Sequence, residues 1–208
     1  MRTFVTAGLM TFLLAAGAFA QPSAKLAFQG LDGRSAQADV LKKFPQATRE
    51  NDCAAGETVS RRADGDVACE SLVLDAYEVD GVDFKARFLF SIEGKIRYVS
   101  LLRQYGSPLR ELPGVKREEI ASRFSSLADL LSTKYGSAVA DPPGSLLGVG
   151  RRVGDLEWQP GRGTKWMSGG DRISLSADAY EKRTSPGTYW GSVHIFYVFG
   201  RSGEADRL

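Results

Sequence analysis

The chain carries two cysteines, Cys53 and Cys69, both within the stretch NDCAAGETVSRRADGDVACES. Three chemistries use such a pair: metal ligation, redox exchange and a structural disulfide. A structural zinc site needs about four ligands at characteristic spacing, and the single histidine, His194, is remote in sequence. A thioredoxin-type redox pair is C-x-x-C, whereas a long run rich in Gly, Ala, Asp and Arg separates these two. The disulfide is therefore the expected reading, and closing a loop of this length removes about 3 kcal/mol of unfolded-chain freedom in the chain-entropy model. The intervening residues have little apolar periodicity, as in a loop or irregular hairpin that a staple ties down.

Other residues that could do chemistry reduce to structural readings. A Ser-His-Asp group would have to use His194, which sits in the alternating, aromatic-rich segment GSVHIFYVFG and shares a face with Phe196 and Val198. That placement suits a packed or edge histidine, and no G-x-S-x-G elbow accompanies it. Among the carboxylate pairs, Asp80 precedes Gly81 in a hairpin signal, and Asp64-Gly65-Asp66 has the composition of a turn. ADGDVACE supplies only a fragment of a calcium loop. A glycosidase pair is defined by spatial separation, which a sequence does not display. Gly161-Arg162-Gly163-Thr164-Lys165 lacks the order of a phosphate loop and reads as a hairpin turn. No catalytic residue, metal ligand or cofactor is therefore expected.

The aromatics of the C-terminal half have two readings. Trp158, Trp166, Tyr189 and Trp190 fall in strand-like segments, where aromatics usually fill a core. Exposed together on one sheet face, they would form a candidate binding surface for a protein or for stacking on sugars.

The compartment is suggested by the first twenty residues, MRTFVTAGLMTFLLAAGAFA: one basic residue, an apolar run, then Ala18-Phe19-Ala20. This is the anatomy of a cleavable signal peptide over 1–20, with the cut before Gln21. No later stretch approaches the roughly 20 apolar residues of a membrane span, and no cysteine follows the cut to carry a lipid anchor. A periplasmic or secreted protein is expected, in a compartment where disulfides persist. With 27 basic and 25 acidic residues and a net charge of +2, there is no electrostatic case for nucleic acid or anionic lipid as partner.

The elements that would position these residues follow from periodicity. Ser35 can cap a short helix carrying Val40, Leu41 and Phe44, stopped by Pro45. From Leu72 the period becomes two: one strand reaches Asp80-Gly81, a second carries Phe84, Ala86, Phe88 and Phe90, and a third starts after Glu93-Gly94 with Ile96, Tyr98 and Ser100 on one face. The segment VKREEIASRFSSLADLLSTKYG places Ile120, Phe124, Leu127, Leu130, Leu131 and Tyr135 on one helical stripe, and Gly136 ends it. Short strands over 155–158, 164–167, 173–177 and 189–199 follow, separated by turns at Gln159-Pro160-Gly161, Gly169-Gly170 and Ser185-Pro186-Gly187. A flexible tail is expected over 200–208.

The fold class this predicts is α+β: a helix followed by an antiparallel meander over 21–110, and the same order again over 111–199, with one disulfide and one shared or two adjoining sheets. The layout, with its lead GLDGRSAQADV, a helix ending in an aromatic plus Pro or Gly, and a following meander, resembles exported proteins of the β-lactamase-inhibitor-like fold. It is also similar to outer-membrane-assembly proteins of the SmpA/OmlA type, from which it departs in having no lipobox cysteine. The resemblance implies a non-enzymatic domain that presents a sheet surface to another envelope or secreted protein, as inhibitor, immunity factor or assembly accessory. The alternative is a small-ligand or glycan-binding module using the C-terminal strand aromatics.

Overall fold

A computed structural model describes residues 26–54, 57–60, 66–106, 113–140, 152–153, 156–182 and 184–200. The expected signal peptide, Asp64 and almost all of the expected tail lie outside the described residues.

The elements run α1 (Gln37–Lys43), β1 (Thr48–Asn51), β2 (Val59–Ser60), β3 (Val67–Val79), β4 (Val82–Ser91) and β5 (Ile96–Tyr105). They continue as α2 (Arg117–Tyr135), β6 (Val139–Ala140), β7 (Arg152–Val153), β8 (Leu156–Ser168), β9 (Asp171–Lys182) and β10 (Tyr189–Val198). The strands form one antiparallel sheet in the order β1-β3-β4-β5-β10-β9-β8-β6, with β2 on β3 and β7 on β8. Among the described residues the protein is thus mostly sheet, with two helices and a single shared sheet rather than two.

That order is a palindrome about the β5–β10 pair. Reading outward from this seam, each half presents its last strand, its middle strand, its first long strand and a short edge strand. The seam is long and regular, from Gly191 opposite Tyr105 to Val198 opposite Tyr98.

Alternation along the strands divides the residues between two faces. Leu72 and Leu74 of β3, Phe84, Ala86, Phe88 and Phe90 of β4, Val99 and Leu101 of β5, and Val193 and Ile195 of β10 all enter one core. Val40 of α1 and Ile120, Leu127 and Leu131 of α2 enter it too, so both helices lie on this face. Each fully buried apolar side chain contributes roughly 1.5–3 kcal/mol. Phe28, in the lead before α1, is the aromatic hub: its ring centroid lies 5.1–6.2 Å from those of Phe44, Tyr77, Phe88 and Tyr197.

The turn predicted at Asp80-Gly81 is present, with φ of 51° and 72°, the left-handed pair that a two-residue hairpin requires. Gly136 ends α2 with φ 86°. Four expectations need correction. The N-cap of α1 is Ala36 rather than Ser35. Asp39 supplies the capping instead, its carboxylate accepting the Ala36 N–H at 2.7 Å, while the Ser35 carbonyl accepts the Ile96 N–H at 2.9 Å. Leu130 is not part of the buried stripe of α2; it is 46% exposed. Ile96 and Tyr98 do not share a face, because the β4–β5 register shifts between Leu89 and Phe90 and the bulge turns Ile96 into the main core and Tyr98 away from it.

The fourth correction concerns Gln159-Pro160-Gly161, which does not separate two strands. β8 runs from Leu156 to Ser168, and the β8–β9 register shifts between Gln159 and Arg162. A Pro-Gly pair that looks like a turn is taken up as a bulge within one long strand. The Gly161-to-Lys165 stretch is accordingly strand rather than hairpin turn.

Candidate functional site

Three places in the fold hold the residues singled out in the sequence. The first is the disulfide. Cys53 follows β1 and Cys69 lies in β3, with Cα atoms 5.3 Å apart. Around it the Asp52 N–H donates to the Cys69 carbonyl at 2.9 Å and the Cys69 N–H to the Thr58 carbonyl at 3.0 Å. The bond thereby fixes the end of a four-residue edge strand whose sequence, TREN, has no apolar face of its own. Neither sulfur is available as a thiol, and among the described residues no three His, Cys, Asp or Glu side chains converge on a metal-sized site.

The second place is the set of C-terminal aromatics, which the sheet splits. Trp166 is 2% exposed within the helix-side core, and its indole N–H donates to the Gly136 carbonyl at 3.0 Å. Trp190 is 7% exposed. Half-buried Tyr189 packs against the helix-side core, so alternation turns its neighbour Trp190 to the other face. There the Trp190 ring lies 6.4 Å from that of Tyr180 and nearly parallel to it. A Cβ at Gly106 would come within 2.8 Å of the Trp190 ring, and one at Gly114 within 3.0 Å, so backbone covers the indole closely. The backbone of Trp158 stands opposite Tyr180 in the ladder. Trp166, Tyr189 and Trp190 therefore do not form one exposed stacking platform: two are interior, and they face opposite ways.

The third place is the face of the sheet that carries neither helix. A small cluster of Val67, Leu89, Tyr98 and Val198 lies there, with Phe196 packed against it and the Tyr98 and Phe196 rings stacked at 5.3 Å. Leu102 and Met167 are 39% and 56% exposed. Toward the β1 edge, the Arg87 guanidinium bridges the Glu50 and Asp52 carboxylates, and Lys85 Nζ lies 3.2 Å from Glu50 and 3.4 Å from Asp75.

His194 belongs to this face. Its Nε2 lies 2.7 Å from Ser100 Oγ across the seam. Asp178, on the same face, accepts a hydrogen bond from Ser192 Oγ. Among the described residues no carboxylate hydrogen-bonds the imidazole, so the serine–histidine–acid relay of hydrolases is not assembled. This contact joins residues 94 apart in the chain; alternation alone placed His194 on its face, but nothing local in the sequence pointed to Ser100.

Burial pushes the His194 imidazole below its ordinary range, and burial pushes the Asp178 carboxyl above its own, with the Ser192 hydrogen bond opposing. The signs differ in their consequences. The folded state binds a proton at His194 less readily than the unfolded chain, so stability is complete above the unfolded value of about 6.5 and falls as pH drops below it. Asp178 works oppositely, its contribution being present at low pH and lost as pH rises through its folded value. In urea titrations at pH 7.5 and 5.0, H194Q is expected to remove part of the acid-side loss of stability, leaving that of the wild type steeper. Equal slopes in the two proteins would show that the imidazole is not desolvated.

No family model matches the chain, and neither a curated protein nor a solved structure is significantly similar to it.

Proposed function

We propose that the protein is an exported, non-enzymatic binding domain that offers the helix-free face of its sheet to another envelope or secreted protein, as an inhibitor, immunity factor or assembly accessory. The observation that carries this reading is the asymmetry of the sheet. One face is filled by α1, α2 and the Phe28 lead. Among the described residues the other carries no helix, and away from the loop backbone over Trp190 it mixes the partly exposed Leu102 and Met167 with the paired charges of Arg87 and Lys85. Exposed apolar groups with charged residues toward the edge fit the apolar-centre, polar-rim anatomy of a protein-binding surface. The disulfide supports export, since such bonds persist outside the reducing cytosol.

The palindromic strand order supports the rest. The reading takes residues 21–110 and 111–199 as diverged tandem units, each a helix followed by a meander, joined through β5 and β10. A helix followed by a meander is the order on which the sequence resembles exported proteins of the β-lactamase-inhibitor-like fold and the SmpA/OmlA type, and that resemblance implies action through a sheet surface.

The test is a crosslinking pull-down from the envelope fraction with the mature protein and with the double variant Leu102→Asp, Met167→Asp. A partner retained by the wild type and lost by the variant supports the reading. Retention of no partner by the wild type, or equal retention by both, removes it.

A further inference from the structure

The helix-free face carries a titratable group on a central strand. In the ladder Lys85 of β4 stands opposite Leu102 of β5, Leu102 opposite His194 of β10, and His194 opposite Ser176 of β9. Leu102 is 39% exposed, and side chains directly opposite one another on neighbouring strands lie in contact range. A partner that covers this leucine therefore covers the imidazole as well.

The surroundings offer little to a charged imidazole. Nε2 meets the Ser100 hydroxyl at 2.7 Å, a neutral group, and the Phe196 ring stands 5.5 Å away. By alternation β4 turns Asp83, Lys85 and Arg87 to this face, and the two cations are paired with Glu50, Asp52 and Asp75. β5 adds Tyr98, β8 adds Lys165, and β9 adds Arg172, Asp178 and Tyr180. Asp178 is the carboxylate of the adjacent strand, two residues along from Ser176. It accepts from Ser192 Oγ, and burial pushes it toward its neutral form. Burial likewise holds the imidazole below its ordinary range.

We propose that proton uptake by His194 and partner binding on this face are antagonistic, so that the partner is held near neutral pH and released on acidification. Regulation of this kind rests on the binding surface proposed above. Covering Leu102 strips water from the imidazole without supplying a counter-charge, which disfavours its protonated form further. The complex then binds the proton less readily than the free protein, and affinity is complete above the pH at which free His194 titrates. One unit below that pH it should be about tenfold weaker. Asp178 has the opposite sign, since its neutralisation in acid favours being covered.

His194 is the only histidine, so a single imidazole NMR signal gives its titration in the mature protein. The partner captured at pH 7.5 on immobilised protein, without crosslinking, is then washed in steps down to pH 4.5. Wild type should release it across and below the imidazole titration, and H194Q should retain it, with circular dichroism showing both folded at each step. If H194Q misfolds, the imidazole signal of the complex decides: it should titrate at lower pH than in the free protein. Release at the same pH from both proteins, retention by the wild type after its imidazole has titrated, or an unshifted titration in the complex overturns the proposal and leaves the binding surface standing. Capture of no partner by the wild type at pH 7.5 removes the binding surface and its regulation together.

Discussion

Replacing Trp166 with alanine should destabilise the protein by about 3–5 kcal/mol, the range for truncating a large buried aromatic. The side chain is 2% exposed, and its strand neighbour across the ladder, Ile173, is fully buried. Truncation removes that packing and also the indole donor to the Gly136 carbonyl, leaving the C-terminal end of α2 without this partner. Urea unfolding monitored by far-UV circular dichroism measures the effect, and Trp166→Phe should recover most of the packing but not the hydrogen bond. A cost below about 1 kcal/mol, a surface value, would return Trp166 to the exposed aromatic platform that the sequence also allowed.

The second large effect belongs to the staple. The double variant Cys53→Ser, Cys69→Ser should lose about 3 kcal/mol relative to the disulfide-intact protein, because the unfolded chain regains the freedom of the closed loop. The double variant is the informative one, since it leaves no odd thiol to react. Free-thiol labelling of the wild type should find no reactive cysteine until a reductant is added. The loss should concentrate at the β1 edge: hydrogen exchange should accelerate at the Asp52 and Cys69 amides, which are bonded beside the bridge, before it does so at the seam. A uniform acceleration across all strands would mean that the bridge stabilises the whole sheet and not this edge in particular.

What was legible in the sequence was whatever is encoded within one element. The alternation of Phe84, Ala86, Phe88 and Phe90 states which face of β4 is buried, and Asp80-Gly81 states a turn by its own backbone chemistry. What was not legible depends on partners. TREN has no apolar alternation, and it becomes a strand only because β3 supplies its hydrogen bonds. Pro160-Gly161 carries a turn signal that a long paired strand overrides by bulging. Leu130 matches the helical period yet lies exposed at the rim of a cavity, because a period specifies a stripe without specifying how wide the underlying sheet is. The candidate site was the least legible part: the Ser100–His194 contact and the separation of Trp166 from Trp190 both follow from pairing between strands that are remote in sequence.

The β5–β10 seam also sets a timetable. Its partners are made almost half a chain apart, as with Ser100 and His194, 94 residues apart, so the first meander is complete long before the strand that closes it exists. Through that interval β5 is an open edge able to pair with another chain, and ordering so distant a contact is slow. A chain threaded N-terminus first would release its seam strand last, and the population at risk of aggregation is the one whose C-terminal strand is missing. Truncation before Tyr189 should consequently produce insoluble protein rather than a folded half.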